Sequence, residues 1–262
     1  MKIVIVGAGG HGRVVLDILS SNHQFQVVGF LDNNIKLHNR IIDGTKVLGD
    51  LNHIDKIKND GICGAIIAIG DNRIRKMYAK KILDSGLALI NAIHPSANIA
   101  GNAKIGKNVT IAAGANICAN AVIEDSVILN TGCIIEHECL IKNSSHICPG
   151  VKLAGHVTVE KLAFVGIGAT VIQGIKIDQS AIVGAGAVVI SDVSAFTTVV
   201  GAPAKPVKLS HIPGHVDETP PPKPPRQFKF VPSTSDLEPA RSIINRPQRI
   251  SPPKLEPEVI EA

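Results

Sequence analysis

Between Ile93 and Val189 every sixth residue is aliphatic: Ile93, Ile99, Ile105, Ile111, Ile117, Ile123, Leu129, Ile135, Ile141, Ile147, Leu153, Val159, Val165, Val171, Ile177, Val183 and Val189. No insertion breaks the register across these seventeen positions. Four residues after each stands a small or β-branched side chain, from Ala97, Ala103 and Val109 through Cys133, Cys139 and Ser145 to Ala187. A step of six leaves no stripe at 3.6-residue spacing, so these residues cannot form an amphipathic helix. A strict short repeat marks a solenoid, in which each unit buries its apolar face only by stacking on its neighbours. One large and one small inward residue per hexapeptide describes short strands joined by tight bends. Three such strands close a triangular coil of eighteen residues, so sixteen complete repeats make a little over five coils. The predicted fold is a left-handed parallel β-helix, an exception to the right-handed crossover rule, with coils stacked about 4.8 Å apart.

The rest of the composition fits a narrow prism. Hydrophobic residues make up 45% of the chain, yet aromatic residues only 3%, and there is no Trp. The net charge of +5 is spread through the chain without a basic run, which removes the electrostatic footprint expected of a nucleic-acid binder. The chain begins directly with a strand and contains no apolar run of membrane-spanning length, so a cytoplasmic protein without a membrane span is expected. The five cysteines, Cys63, Cys118, Cys133, Cys139 and Cys148, include no CxxC pair. Cys133 and Cys139 fall on inward positions and read as small buried hydrophobes.

Ahead of the repeats, residues 1–92 read as an α/β Rossmann-like unit. Lys2 to Val6 (KIVIV) is an apolar strand, Gly7 to Gly12 (GAGGHG) a glycine turn, and Arg13 to Ser21 a helix with Val14, Val15, Ile18 and Leu19 on one face. Strand, glycine turn and helix in this order allow close approach of a ligand and place a helix N-terminus where phosphate binds. Gln26 to Leu31 forms a second strand ending at Asp32, placed to accept a ribose hydroxyl. A third strand, Ala65 to Ile69, runs into Gly70-Asp71-Asn72. A helix from Arg73 to Ser85 follows, with Ile74, Met77, Ile82 and Leu83 expected to pack inward, then a short strand from Leu87 to Ile90. The turn admits three readings: a nucleotide-linked substrate, a dinucleotide, or a structural turn without a ligand. The unit is compact for a dinucleotide domain, and the chain offers a solenoid where a dehydrogenase would carry its catalytic domain. His11, inside the turn, is a candidate contact.

The solenoid is expected over residues 93–208. A strand from Val193 to Val200 and the turn Gly201-Ala202-Pro203-Ala204-Lys205-Pro206 close it, the prolines ending the ladder. Fourteen of the sixteen prolines lie from Pro203 onward, so residues 209–262 are expected to be an extended or disordered tail.

Histidines concentrate within the repeats. His137 is third in its hexapeptide and His146 sixth in its own, which puts both near corners, half a coil apart. Gly155 follows His137 by eighteen residues, one full coil, and should stack beside it. In one reading His137 is a general base for acyl transfer, oriented by Glu138 or Glu136, with the Gly155 N–H facing the developing oxyanion. In a second, His137 and His156 bind zinc with His146 supplied by another subunit. That reading is weakened because His156 is fourth in its repeat, so the two side chains should diverge. In a third, the histidines are corner residues without chemistry. His94, beside Pro95, reads as a junction residue.

Taken together, GAGGHG, IGDNRIR at 69–75, ILNTGCIIEHECLI, SSHICPG and GAPAK resemble one family. It is the hexapeptide-repeat sugar O/N-acetyltransferases of the sialic-acid O-acetyltransferase (NeuD) and UDP-4-amino-sugar N-acetyltransferase (PglD) type, matched over residues 1 to about 208. The resemblance implies a homotrimer that uses acetyl-CoA as co-substrate, needs no metal, and holds a nucleotide sugar in its N-terminal domain. It assigns His137 as catalytic base and Glu138 as its modulating acid. It places His146 and Gly155 at the acetyl thioester and Ile167 and Ala185 along the CoA arm. Gly9, Gly10, His11, Asp32 and Gly70 would contact the nucleotide sugar. An amino-sugar acetyltransferase of bacterial surface-glycan synthesis is the function implied. The alternatives are an O-acetyltransferase on sialic-acid-like sugars or polysaccharide, and a nucleotide-sugar-binding scaffold. Asn33 replaces a second acidic residue, and the proline-rich extension departs from the family.

Overall fold

The computed structural model describes residues 1–21 and 24–207. The expected proline-rich tail lies outside the described residues, which all belong to one unit of dense internal contact.

Chain order in the N-terminal part is β1 (Lys2–Val6), α1 (Gly10–Ser20), β2 (Gln26–Leu31), β3 (Ile41–Ile42), β4 (Thr45–Gly49), α2 (Ile54–Asn59), β5 (Gly64–Ile67), α3 (Asn72–Asp84) and β6 (Ala88–Leu89). The sheet order is β3-β4-β2-β1-β5-β6, parallel except for β3, which pairs antiparallel with β4. The order in which strands are added reverses at β1, which pairs in parallel with both β2 and β5. Ile3, Val4 and Ile5 of this central strand are fully buried. A strand covered on both faces needs such a continuous apolar run.

Two helix faces differ from expectation. In α1, Val14 is 42% exposed, and Leu16 joins Val15, Ile18 and Leu19 in the core. In α3, Ile82 is buried as expected, but Ile74, Met77 and Leu83 are exposed. The inward face is Arg75, Tyr78, Ala79 and Ile82. This helix packs against the solenoid as well as the sheet, and at that junction an arginine takes an inward position.

From Ala92 onward the hexapeptide repeat becomes three parallel sheets that form the faces of a left-handed β-helix. The first face contains Ala92–Ile93, Thr110–Ile111, Ile128–Leu129, His146–Ile147, Phe164–Val165 and Ile182–Val183. Within these two-residue strands the second residue points inward. Ile111, Leu129, Ile147, Val165 and Val183 are fully buried and stack eighteen residues apart. Every sixth residue from Asn108 to Gly186 turns a corner with positive φ, a backbone device the apolar period does not display. At the C-terminal end the strand is confined to Thr198–Val200, and Lys205–Val207 pairs antiparallel with it. Pro206 thus sits within the ladder, opposite Val199, instead of ending it. An edge strand tolerates this, because the missing N–H faces no partner.

The N-terminal part covers the first face. Outward residues are exposed on much of the solenoid, but here Thr110, Ile128 and His146 are buried. Polar links cross the contact. Asn108 Oδ1 accepts from the Ile67 N–H at 2.8 Å, and Asn72 Nδ2 donates to the Leu162 and Ala163 carbonyls at 3.0 Å. Among the described residues no helix is long and apolar enough to cross a membrane.

Candidate active site

The C-terminal ends of β1, β2 and β5 splay around a cavity of about 380 Å³. This is where a doubly wound sheet reverses its strand order and opens a crevice. Gly9, Gly10, His11, Asp32 and Gly70 all line it, together with Asn33, Ile74 and Tyr78. Tyr78 carries no motif in the sequence, yet its hydroxyl accepts from Asn33 Nδ2 at the cavity wall. Gly12 is needed for close packing: a Cβ there would lie 2.0 Å from the Gly7 carbonyl oxygen. The first turn of α1 has Gly9 as its N-cap and no capping side chain, so its amides face the cavity without a competing oxygen. That arrangement suits phosphate. Asp32 also organises the turn, since its two carboxylate oxygens accept the Ala8 and Asn34 N–H groups, each at 2.8 Å.

Behind the cavity lies a buried polar cluster. His146 is not at a corner as its place in the repeat suggested. It begins a strand on the first face and is 8% exposed under the N-terminal part. Its ring lies 6.5 Å from that of His11 and 5.2 Å from that of Phe164. His11 Nε2 and His146 Nδ1 are buried and make no hydrogen bond among the described residues. Burial first, and the Arg75 charge second, push both histidines down from 6.5 to about 4. The Gly70 carbonyl opposes the shift at His146, though no hydrogen bond to Nδ1 forms. Both rings are therefore neutral near pH 7, free to accept or donate toward a ligand.

A stability prediction follows. A histidine depressed in the folded state takes its proton first in the unfolded chain. Its contribution is intact above 6.5 and is lost as pH falls toward about 4. Urea denaturation across that window should show stability dropping by roughly 3 kcal/mol per histidine. His11→Gln should remove about half of the pH dependence, and a flat profile would contradict the buried neutral pair.

At another edge of the prism, His137 is an exposed corner residue. Its Nδ1 lies 3.1 Å from Glu138 Oε2. A neutral ring donates there and leaves Nε2 as the acceptor. Gly155 stacks beside the ring as expected: a Cβ on it would meet Cε1 and Nε2 at 2.5 Å, so only glycine permits this approach. The Gly155 N–H makes no hydrogen bond among the described residues. Glu136 instead faces Cys118, whose thiol burial and this carboxylate push upward.

His156 corrects an expectation. Its ring does not diverge from His137, since the centroids are 5.2 Å apart in an edge-to-face pair. Its Nε2 lies 3.1 Å from the same Glu138 Oε2. His137, Glu138 and His156 bring three donor atoms within 4.8 Å of one another, the spacing a metal ion would need. His146, the third ligand in the zinc reading, lies buried on the first face. Ile167 and Ala185 occupy a third location. Stacked eighteen residues apart on the corner that follows the first face, both are exposed, Ile167 by 57%. An exposed aliphatic side chain above a small one suits an extended organic arm. His94 is tied to Ser96 at the junction.

Within one chain the candidate residues thus form three groups: the cavity with His11 and His146, the His137–Glu138–Gly155 corner, and the Ile167–Ala185 corner.

Residues 2–82 match the family model described as the PglD N-terminal domain. The chain is 35% identical over 117 residues to a UDP-N-acetylbacillosamine N-acetyltransferase of Bacillus subtilis (strain 168). That match covers 43% of this chain and 51% of the relative, so the chain spans about half the length of the curated relative it matches. Among solved structures it resembles PerB from Caulobacter crescentus in complex with CoA and GDP-perosamine. The two share 36% identity and a TM-score of 0.76 over 79% of this chain and 98% of that one. It also resembles the acetyltransferase domain of PglB from Neisseria gonorrhoeae, with 30% identity and a TM-score of 0.74 over 79% of this chain and 99% of that one. With identity at this level over nearly the whole of both structures, the chain belongs to the PglD-type family of sugar acetyltransferases.

Proposed function

We propose that the protein transfers an acetyl group from acetyl-CoA to the amine of a nucleotide-linked amino sugar. Residues 1–92 would hold the sugar and residues 93–208 would carry the transfer. The observation that carries this reading is the corner where Glu138 orients His137 while Gly155 brings a free N–H beside the ring. A base, its orienting carboxylate and an amide donor are the parts acyl transfer requires.

Acetyl-CoA supplies an acyl thioester when bound. His137 Nε2 takes the proton of the attacking amine, and Glu138 stabilises the imidazolium that results. The Gly155 N–H faces the negative charge that develops on the carbonyl oxygen, and the proton on Nε2 then passes to the departing thiolate. Ile167 and Ala185 offer a surface to the pantetheine arm. His146, neutral and with its Nδ1 unpartnered among the described residues, offers a polar contact beside the cavity. The first-turn amides of α1, with Gly9, Gly10 and His11, hold the pyrophosphate of the nucleotide-sugar acceptor.

His137 and His146 of one chain lie on different parts of the prism. The reading therefore places His137 of one protomer opposite the cavity and His146 of its partner, and a cyclic trimer closes such edges. Relatives solved with CoA and GDP-perosamine, or named for UDP-N-acetylbacillosamine, support a nucleotide-linked amino sugar as acceptor. Such chemistry belongs in the cytoplasm, where nucleotide sugars are made.

The test is thiol release from acetyl-CoA. The acceptors are UDP-4-amino-4,6-dideoxy sugars, GDP-perosamine, the matching 4-hydroxy sugars, and free and CMP-linked sialic acids. Release only with nucleotide-linked amino sugars is expected. Release only with sialic acids would make it an O-acetyltransferase, and sugar-nucleotide binding without release would leave a scaffold.

A further inference from the structure

Glu138 and His156 belong to one corner column of the prism, which reads Asn102, Asn120, Glu138, His156 and Gly174 at eighteen-residue steps. Asn120, Glu138 and His156 hold φ near 60°, and Gly174 holds 70°. This left-handed region suits glycine and asparagine, and other side chains sit in it at a cost. The lower rungs behave as such a column should, Asn102 donating to Asn120 at 2.9 Å. At the two rungs beside His137 the column instead carries a glutamate and a histidine.

Here the contacts say what they do. Glu138 Oε2 lies 3.1 Å from His137 Nδ1 and 3.1 Å from His156 Nε2, so one carboxylate oxygen accepts from both rings. The rings stand at 89° to each other, the edge of one against the face of the other. Glu138 by itself is an exposed side chain on a flexible stem, with several rotamers open to it. A second N–H on the same oxygen selects the rotamer that meets His137.

We propose that His156 is a positioning residue for acetyl transfer: acting through Glu138, it holds the His137 ring in the orientation and tautomer that leave Nε2 free to take the acceptor's proton. The inference rests on reading His137 as the base. In this role His156 acts on the carboxylate and not on the substrate. Its N–H also draws charge from the carboxylate, which keeps the Nδ1 proton on His137 when the ring becomes cationic. The site is thus a His–Glu–His relay of hydrogen bonds in which a single proton moves, from the amine to Nε2.

The experiment uses the full chain with acetyl-CoA and the amino-sugar acceptor identified by thiol release. His156→Gly removes the ring without backbone strain, since glycine occupies the next corner of the column. His156→Gln keeps an N–H donor at a similar reach. His156→Gly should lower kcat about tenfold, the rate equivalent of one charge-assisted hydrogen bond, with both KM values within about twofold. His156→Gln should recover most of the loss. In a Glu138→Gly background His156→Gly should add nothing, because the route through the carboxylate is already cut. An unchanged kcat, a KM effect in place of a kcat effect, failure of the glutamine rescue, or full additivity with Glu138→Gly would each overturn the proposal. His137→Ala separates the two readings. If it is inactive while His156→Gly matches wild type, only the role of His156 falls. If His137→Ala turns over normally, the base assignment falls and this inference with it.

Discussion

Alanine in place of His137 is expected to lower kcat by about 10²–10⁴-fold, the range contributed by a positioned general base. The fold should be untouched. The side chain is exposed at a corner, while the inward residues of the neighbouring strands, Ile135 and Ile141, are fully buried and keep the coil stacked. Binding of acetyl-CoA and of the sugar nucleotide should change little, since the ring is asked to act on a proton and not to hold either molecule. The loss should therefore appear in kcat with KM nearly constant, the signature of an interaction made only in the transition state. Glu138→Gln should give a smaller loss: the amide can still meet Nδ1 but offers no charge to the imidazolium. Steady-state thiol release checks both. Near-normal turnover by His137→Ala would send the search for the base to the two histidines at the cavity, His11 and His146.

The solenoid was legible because its physics is local and repetitive. One inward aliphatic and one small residue per hexapeptide dictate the three faces, and Ile111 through Val189 are buried at those positions. The α/β part was legible where strand, glycine turn and helix follow in order. It was less so between residues 32 and 62. The hairpin β3–β4 turns at Asp43-Gly44, both at positive φ. That dipeptide is the usual signal for a two-residue hairpin turn, but the strands beside it are too short to show alternation. The inner face of α3 could not be found by apolar pattern, because its inward residue nearest the solenoid is Arg75.

The candidate site divides the same way. Eighteen-residue arithmetic is enough to put Gly155 against His137, since it depends only on the coil length. The same arithmetic applied to side-chain direction failed for His156. Position in the repeat gives a backbone place, but Glu138 draws both imidazoles to one oxygen and so sets where the rings point. His146 was misplaced for another reason. Its environment is made by the N-terminal part lying over the first face, a contact between segments distant in sequence that no periodicity records.

That contact is where the second large effect is expected. Arg75 is fully buried, and among the described residues it has no carboxylate in hydrogen-bond contact. Its guanidinium donates to the carbonyls of Ser126 at 2.7 Å, Ile69 at 2.9 Å, Gly70 at 3.1 Å, and Ser144 and Ser145 at 3.0 Å, and to Asn72 Oδ1 at 2.7 Å. Three of these acceptors belong to the solenoid, two to the loop that forms the cavity wall, and one, Asn72, to the start of α3. The fork geometry of an arginine is required, because lysine has three donors and no plane. Arg75→Met leaves at least the Ser126 and Ser144 carbonyls without a donor, at about 1–3 kcal/mol each. The melting temperature should fall by about 5–20 °C, taking roughly 2–4 °C per kcal/mol for a chain of this size. Arg75→Lys should lie between the variant and wild type. At temperatures where Arg75→Met stays folded, the apparent KM for the sugar nucleotide should rise, because the Gly70 wall loses its tie to the strand that begins at His146. The same substitution removes the positive charge that helps hold His11 and His146 near 4, so both should titrate higher than in wild type. They should still titrate below 6.5, since burial is the larger cause. Nitrogen chemical shifts of the two rings against pH would read this directly. A thermal midpoint within about 2 °C of wild type, or unchanged histidine titrations, would show that the clamp does not couple the cavity to the solenoid.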